Sequence, residues 1–322
     1  MKRATTITTI AAGILLPTLA AAQDYPSKTI KVIVPFPAGG PADTIGRVFS
    51  EKLSLLVGQP VVIENRSGAG GVTGIAAVAK SDADGYTLGV ATSGTLAMNV
   101  VLQSKMPYDP LKDLTLVTQA ASVPELLVIG PQVPAKSLGE LVALAKAQPG
   151  KINFASTGLG SMPHMAAELF KITAGIDIVH VPYAGAAPAV NDMLGGHVQM
   201  LFADVPVLLG SVLAGKLTAL AVGSTKRVAV LPDVPTTAEA GMPQVEADNW
   251  YGIVAPAAMP PAIAAKLTSA AISALKSADV TDKLGKQGVI VVGSTTEEFT
   301  AYVKGETERW GKVVKAAGIK LN

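Results

Sequence analysis

The residues of this chain best suited to chemistry lie where short apolar strands end in small-residue loops and helices begin. Ile30 to Val34 runs into Pro35-Phe36-Pro37-Ala38-Gly39-Gly40-Pro41-Ala42-Asp43 and then into a helical pattern. The first four N–H groups of a helix lack intrahelical acceptors, and the aligned peptide dipoles add about half a positive charge there, so such a start can hold an anion. Gly39 and Gly40 admit a ligand close to the backbone, Pro41 suits the first helical position, and Asp43 can cap or balance the first turn. Phe36, Ala38, Gly39, Gly40 and Asp43 form the first group of candidate ligand-binding residues. A lone Gly-Gly is also compatible with a plain strand-to-helix turn.

Three further loops repeat the pattern. Asn153-Phe154-Ala155 leads into Ser156, Thr157, Gly158, Leu159 and Gly160, with His164 in the first turn of the helix that follows. His180-Val181-Pro182 leads into Tyr183, Ala184 and Gly185, and a fourth strand ends at Ala91-Thr92-Ser93-Gly94. In open α/β sheets ligands sit beyond the carboxyl ends of strands, so these loops are expected to converge on one crevice. Ser93, Ser156, Thr157 and Tyr183 offer hydroxyls, which serve equally as caps and turn formers. His164 is suited either to ligand contact or to a structural hydrogen bond. Asp204, at another strand end, faces ligand or caps the next helix, with capping the preferred role. Trp250 and Tyr251 are suited either to wall the ligand or to pack a hinge, with hinge packing the preferred role.

Other chemistries find little support. Gly68-Ala69-Gly70-Gly71-Val72-Thr73-Gly74 lacks the G-x-G-x-x-G spacing, and no acid-ended strand follows to hold a ribose, so close helix packing is its expected role. Gly210 to Lys216 nearly spells a phosphate-binding loop, but Leu217 stands where a hydroxyl should hold magnesium and the order is helix then strand. The only histidines, His164, His180 and His197, have no metal-site spacing, and no G-x-S-x-G elbow is present. No metal or cofactor is expected. Beyond the N-terminal region, Arg47, Arg66, Arg227 and Arg309 are the arginines, and none lies in a candidate loop, so recognition must rest on N–H groups, hydroxyls and water.

The elements that position these loops are legible in outline. Apolar runs alternate with amphipathic stretches, the mark of βα units around parallel sheets. Strands are expected near Ile30 to Val34, Pro60 to Glu64, Thr87 to Ala91, Leu126 to Ile129, Ile152 to Ala155, Asp177 to Val181, Val198 to Phe202, Leu217 to Val222 and Val289 to Val292. Ser137 and Glu140 have capping-box spacing before a helix that stops at Pro149-Gly150. Crossings between two lobes are expected at Leu116 to Leu126 and from Leu231 to Pro243 into Asn249 to Val254, with a final helix over Thr296 to Ala317 covering the first lobe.

Lys2 and Arg3, a short uncharged apolar stretch and Ala20-Ala21-Ala22 read as a signal peptide, residues 1–22, which predicts export to the periplasm as a soluble protein. Cleavage after Ala22 leaves 24 basic residues against 24 acidic ones, which argues against a nucleic-acid partner. With no cysteine there is no disulfide, thiol nucleophile or lipid-bearing anchor.

Together Val34 to Gly40 with Asp43, Glu64-Asn65-Arg66 before Gly68 to Gly71, and Asp84-Gly85-Tyr86-Thr87-Leu88 resemble the Bug (TctC) receptors of tripartite tricarboxylate transporters. The likeness extends through Ser156 to Gly160 with His164, Val181 to Gly185 with Pro188, Leu194-Gly195-Gly196, Ala219 to Val222, Leu231 to Thr236 and Trp250-Tyr251-Gly252. The resemblance implies an α/β, two-lobed, type II periplasmic-binding fold with a hinge. Lobe I would comprise 23–120 and 246–322, and lobe II 121–245. It further implies a monomeric receptor, not an enzyme, that captures a small organic carboxylate and delivers it to separate membrane permease subunits. One ligand carboxylate would lie between Phe36 to Gly40 and Tyr183 to Gly185, held partly through ordered water. The kind of carboxylate stays open among dicarboxylate, tricarboxylate, amino acid and aromatic acid. The competing classes are an exported α/β enzyme acting on a small anion and a ligand-responsive sensor subunit.

Overall fold

The computed structural model describes residues 25–319, so residues 1–22, the expected signal peptide, lie outside the described residues. The first lobe opens with three βα steps: β1 (Ile30–Val34), α1 (Pro41–Val57), β2 (Val61–Asn65), α2 (Val72–Ala79) and β3 (Thr87–Thr92). A π-helical turn at Gly94–Met98 then leads into the short α3 (Asn99–Leu102). In β1 every residue except Lys31 is buried, as expected of a parallel strand between two neighbours: it pairs in parallel with β2 and β3. Helix α1 starts after Gly40 with Pro41 in its first turn and lays Ile45, Val48, Phe49 and Leu53 on the sheet, the spacing of one helix face.

The chain then crosses. The expected crossing from Leu116 to Leu126 lies within a single 16-residue strand, β4 (Leu114–Ile129). Nearly every residue of β4 is buried, which erases the period-two alternation that marks a half-exposed strand. The second lobe follows with α4 (Leu138–Ala147), β5 (Ile152–Ser156), α5 (Met162–Ala174), β6 (Ile178–Pro182), α6 (Ala186–Leu194), β7 (Met200–Asp204), α7 (Val205–Leu213) and β8 (Thr218–Val222). At the start of α4, Ser137 accepts from the Glu140 N–H as its spacing predicts, but Glu140 reaches back to the Lys136 N–H rather than completing the box.

The chain returns as β9 (Asp248–Pro256) and ends with α8 (Pro261–Leu275), α9 (Ala278–Gly285), β10 (Ile290–Val291) and α10 (Thr296–Ala317). The strand order is β2-β1-β3-β9-β4-β7-β5-β6, with β8 and β10 also on β4. The sheet is therefore mixed rather than parallel. Strands β4 and β9 run antiparallel to each other, and both are inserted between the parallel sets β2-β1-β3 and β7-β5-β6. The first part of β4 pairs with β9, and from Glu125 onward it pairs with β7, so Glu125 stands where the sheet changes lobes.

Helix α10 does not cover the first lobe alone. Phe299 and Val303 pack into the core around Trp250 and Val254, whereas Trp310 and Val314 enter the second core with Met98, Phe154 and Phe170. At about 1.5 Å per residue, its 22 residues are long enough to reach both.

Candidate functional site

A cleft of 490 Å3 opens at the carboxyl ends of the strands, and residues of both lobes line it. From the first lobe come Phe36, Ala38, Gly39, Gly40 and Ser93; from the second come Thr157, Ala184, Gly185 and Asp204. These sequence-derived candidates are brought together by the fold. The loops that lead into α1 and α6 approach each other across the cleft, where a β-carbon on Gly185 would lie 3.6 Å from Pro37. Helix starts leave N–H donors open, and Gly40, Ala42, Ala186 and Ala187 bring such backbone to the lining.

Asp43, Ser156, Gly158, His164 and Tyr183 are not part of the lining, and each has a local partner instead. Asp43 accepts from the Gly39 N–H at 2.9 Å, from Arg47 at 2.8 Å and from Asn65 at 2.9 Å. Burial alone would raise its pKa, but these donors hold the carboxyl below its usual range. The Gly39 N–H is therefore spent within the loop that was expected to offer it to ligand. Gly160 N–H donates to His164 Nδ1 at 3.2 Å, and the His164 ring stacks on His180 with centroids 4.1 Å apart. Ser156 Oγ lies 2.6 Å from His180 Nε2. Burial, with His180 beside it, pushes His164 down to about 3, and burial pushes His180 down to about 4, so both rings are neutral at neutral pH. Tyr183 donates its hydroxyl proton to Asp192 at 2.7 Å.

Asp204 sits at the cap position of α7 but makes no side-chain cap. It accepts instead from Asn249 Nδ2 at 2.9 Å and from the Tyr251 hydroxyl, and Asn249 in turn accepts from Ser93 at 2.6 Å. Asn249 and Tyr251 both line the cleft. Only Trp250 fits the hinge-packing assignment fully, lying edge-on to Phe299; adjacent strand residues face opposite ways, which turns Tyr251 toward the cleft.

Beside Asp204, Glu125 is 0% exposed and neither of its oxygens has a hydrogen-bond donor. The two carboxyls face each other, so they share a hydrogen bond only when one is protonated. Burial raises Asp204 to about 6, even with Tyr251 and Asn249 donating to it, while burial and then Asp204 raise Glu125 well above the carboxylate range. The signal in the sequence was a single acid inside the apolar run Val123 to Ile129, which sequence reasoning passed over along with Asn249. Glu125→Gln, which keeps a neutral donor, should stabilise the protein by about 1–3 kcal/mol at pH 8 and change little near pH 4. The sign follows from the raised folded-state pKa. The unfolded carboxyl ionises first as pH rises above about 4, so the wild type loses stability across that range and the Gln variant does not. Urea titrations at the two pH values would measure it.

Among the lining residues there is no lysine, arginine or histidine, and Asp204 is the one carboxylate. Among the described residues no group of three His, Cys, Asp or Glu is arranged to hold a metal ion, and no helix is long and apolar enough to cross a membrane.

Comparison with known proteins adds independent findings. Residues 45–319 match the family model described as tripartite tricarboxylate transporter family receptor. Protein BugT of Bordetella pertussis is 41% identical over 311 residues, which span 96% of this chain and 95% of that protein. The structure superimposes on that of an R. palustris protein with adipate with a TM-score of 0.89 at 36% identity, covering 92% of this chain and 99% of that one. MatC from Rhodopseudomonas palustris with bound malate gives a TM-score of 0.85 at 34% identity, covering 90% and 100%.

Proposed function

The chain belongs to the tripartite tricarboxylate transporter receptor family, and we propose that it is an exported periplasmic receptor that closes on a small organic carboxylate and presents it to membrane permease subunits. The observation that carries this reading is the approach of the loops leading into α1 and α6 across a cleft without a cationic side chain. Two opposed sets of helix-start N–H groups can hold one carboxylate, directly or through water, with no arginine clamp. The adipate and malate bound to the two R. palustris proteins are small carboxylates and support the same class.

The cycle we propose has lobe I (23–120 and 246–322) moving against lobe II (121–245) about β4 and β9, as a monomer, with the closed form read by the permease. The ligand drives closure only by binding the closed form more tightly than the open one. Phe36, Ala38 and Gly40, with Ala184 to Ala187, supply the carboxylate contacts. Catalysis has no place in this scheme: the Ser93 and Tyr183 hydroxyls are committed to Asn249 and Asp192, and Ser156, beside His180, is fully buried and does not line the cleft.

The test is a thermal-shift panel of small carboxylates, with sugars and nucleotides as controls. Saturation at about 100 times Kd adds about 2.7 kcal/mol of stability, a rise of several degrees. A rise with carboxylates alone is the expected result. A rise with nucleotides alone, or turnover of a bound acid followed by NMR, would sink the receptor reading.

A further inference from the structure

The cleft has two chemically different ends. At one, helix starts present N–H donors. At the other, Asp204 brings a carboxylate to the wall, braced by Asn249 Nδ2 at 2.9 Å and by the Tyr251 hydroxyl. Each Asp204 oxygen accepts one of these bonds, and with the Glu125 proton as a third donor one lone pair remains for a ligand. The side of Asp204 away from the cleft is also acidic. Glu125 is its direct partner in the β4–β7 register, so both side chains leave the same face of the sheet. Glu125 is fully buried with both oxygens unpartnered, and the charged groups acting on it, Asp204 and Asp248, are themselves acids. From β9, Tyr251 is a neutral donor, and Asp248 is joined by Glu246, Glu306 and the cation Arg309. The pair is balanced when Glu125 holds a proton and donates it to Asp204, which leaves Asp204 as the ionised member facing the cleft.

We propose that this wall is a subsite for a hydrogen-bond donor, so that the favoured ligand is an amino or hydroxy acid with its carboxylate at the loop N–H groups and its ammonium or hydroxyl group on Asp204. The inference rests on the receptor reading and narrows it. A second carboxylate at this wall would meet Asp204 with no cation to offset it, and enters only by taking up a proton.

The experiment is calorimetry on the full chain at pH 7.5 with matched acids differing only at the far end. One set is 4-aminobutyrate, 4-hydroxybutyrate, succinate and butyrate; the other is 6-aminohexanoate, 6-hydroxyhexanoate, adipate and hexanoate. Within the set that binds, a donor-ended acid should exceed its dicarboxylate by about tenfold or more, and Asp204→Asn should bring that ratio to within about threefold. Because Asp204 is buried and its variant can misfold, the wild type supplies a second readout. Titrations in phosphate and Tris should reveal proton uptake with the dicarboxylate and none with the donor-ended acid. A dicarboxylate that binds as tightly as the donor-ended acids without proton uptake overturns the subsite and leaves the receptor reading standing. Binding of none of these acids overturns the amino- or hydroxy-acid assignment, while the receptor reading is decided by the wider carboxylate panel.

Discussion

Gly70→Ala should weaken carboxylate binding by about ten- to a hundredfold, the equivalent of about 1.4–2.8 kcal/mol. Gly70 lies on the first lobe at φ +62, and a β-carbon there would fall 2.7 Å from the backbone oxygen of Leu159 in the second lobe. A real β-carbon essentially never comes so close to a backbone oxygen, and a carbonyl in the loop between β5 and α5 cannot swing away as a side chain can. The overlap exists only while the two lobes touch, so it falls on the closed state and appears as lost affinity. The left-handed backbone adds about 1–2 kcal/mol for any residue with a β-carbon, but in the open and closed forms alike. The two effects therefore separate: a melt of the free protein reads the backbone strain, and calorimetry reads the obstruction to closure. A variant that melts lower yet binds with wild-type Kd would show that this contact has no part in closure.

Glu306→Leu should cost about 2–5 kcal/mol of folding stability. Glu306 Oε2 accepts from the indole N–H of Trp250 at 3.1 Å and from that of Trp310 at 3.0 Å, and Oε1 accepts from Arg309 at 3.1 Å. Both indoles are fully buried, one in the core of the first lobe and the other in the core of the second. Leucine fills the space but leaves two N–H groups without an acceptor in a dry interior, and each such orphan costs about 1–3 kcal/mol. Glu306→Gln retains a carbonyl oxygen with two lone pairs and should lose about 1 kcal/mol or less. Urea midpoints at unchanged slope would measure both. Equal losses for the two variants would mean that the charge, rather than the acceptor, holds the helix to the sheet.

The parts of this molecule legible in the sequence are those written over a few neighbouring residues. Strand β1 lies over Ile30–Val34 as read, and the loops after β1, β3, β5 and β6 stand where their glycines, prolines and hydroxyls place them. A turn, a helix start or an amphipathic period is a property of consecutive side chains, so local pattern suffices for it. The Gly68 to Gly74 segment was also legible as a packing device, since a β-carbon on Gly74 would lie 2.7 Å from Arg66 O and 2.8 Å from Pro35.

Local pattern could not say which loop atoms remain free for ligand. Asp43 takes the Gly39 N–H, and His164 takes that of Gly160, by hydrogen bonds that look in the sequence like any other acid or histidine near a helix start. Nor could it foresee that β4 runs unbroken through both lobes or that α10 packs on both cores, because a strand or helix buried by two separate bodies carries no mark of the boundary between them.

The far wall of the cleft was least legible of all. Asp204 meets Asn249 and Tyr251 from 45 and 47 residues away, and Glu125 joins them only because β4 pairs with β7 on one side and β9 on the other. The sequence by itself determined the small-residue loops after the strands and the absence of arginine from them, since both are matters of local residue type. Tertiary structure alone decided that a buried acid pair faces those loops. Strand order is set by the packing of whole elements against one another, and no single stretch of the chain encodes it.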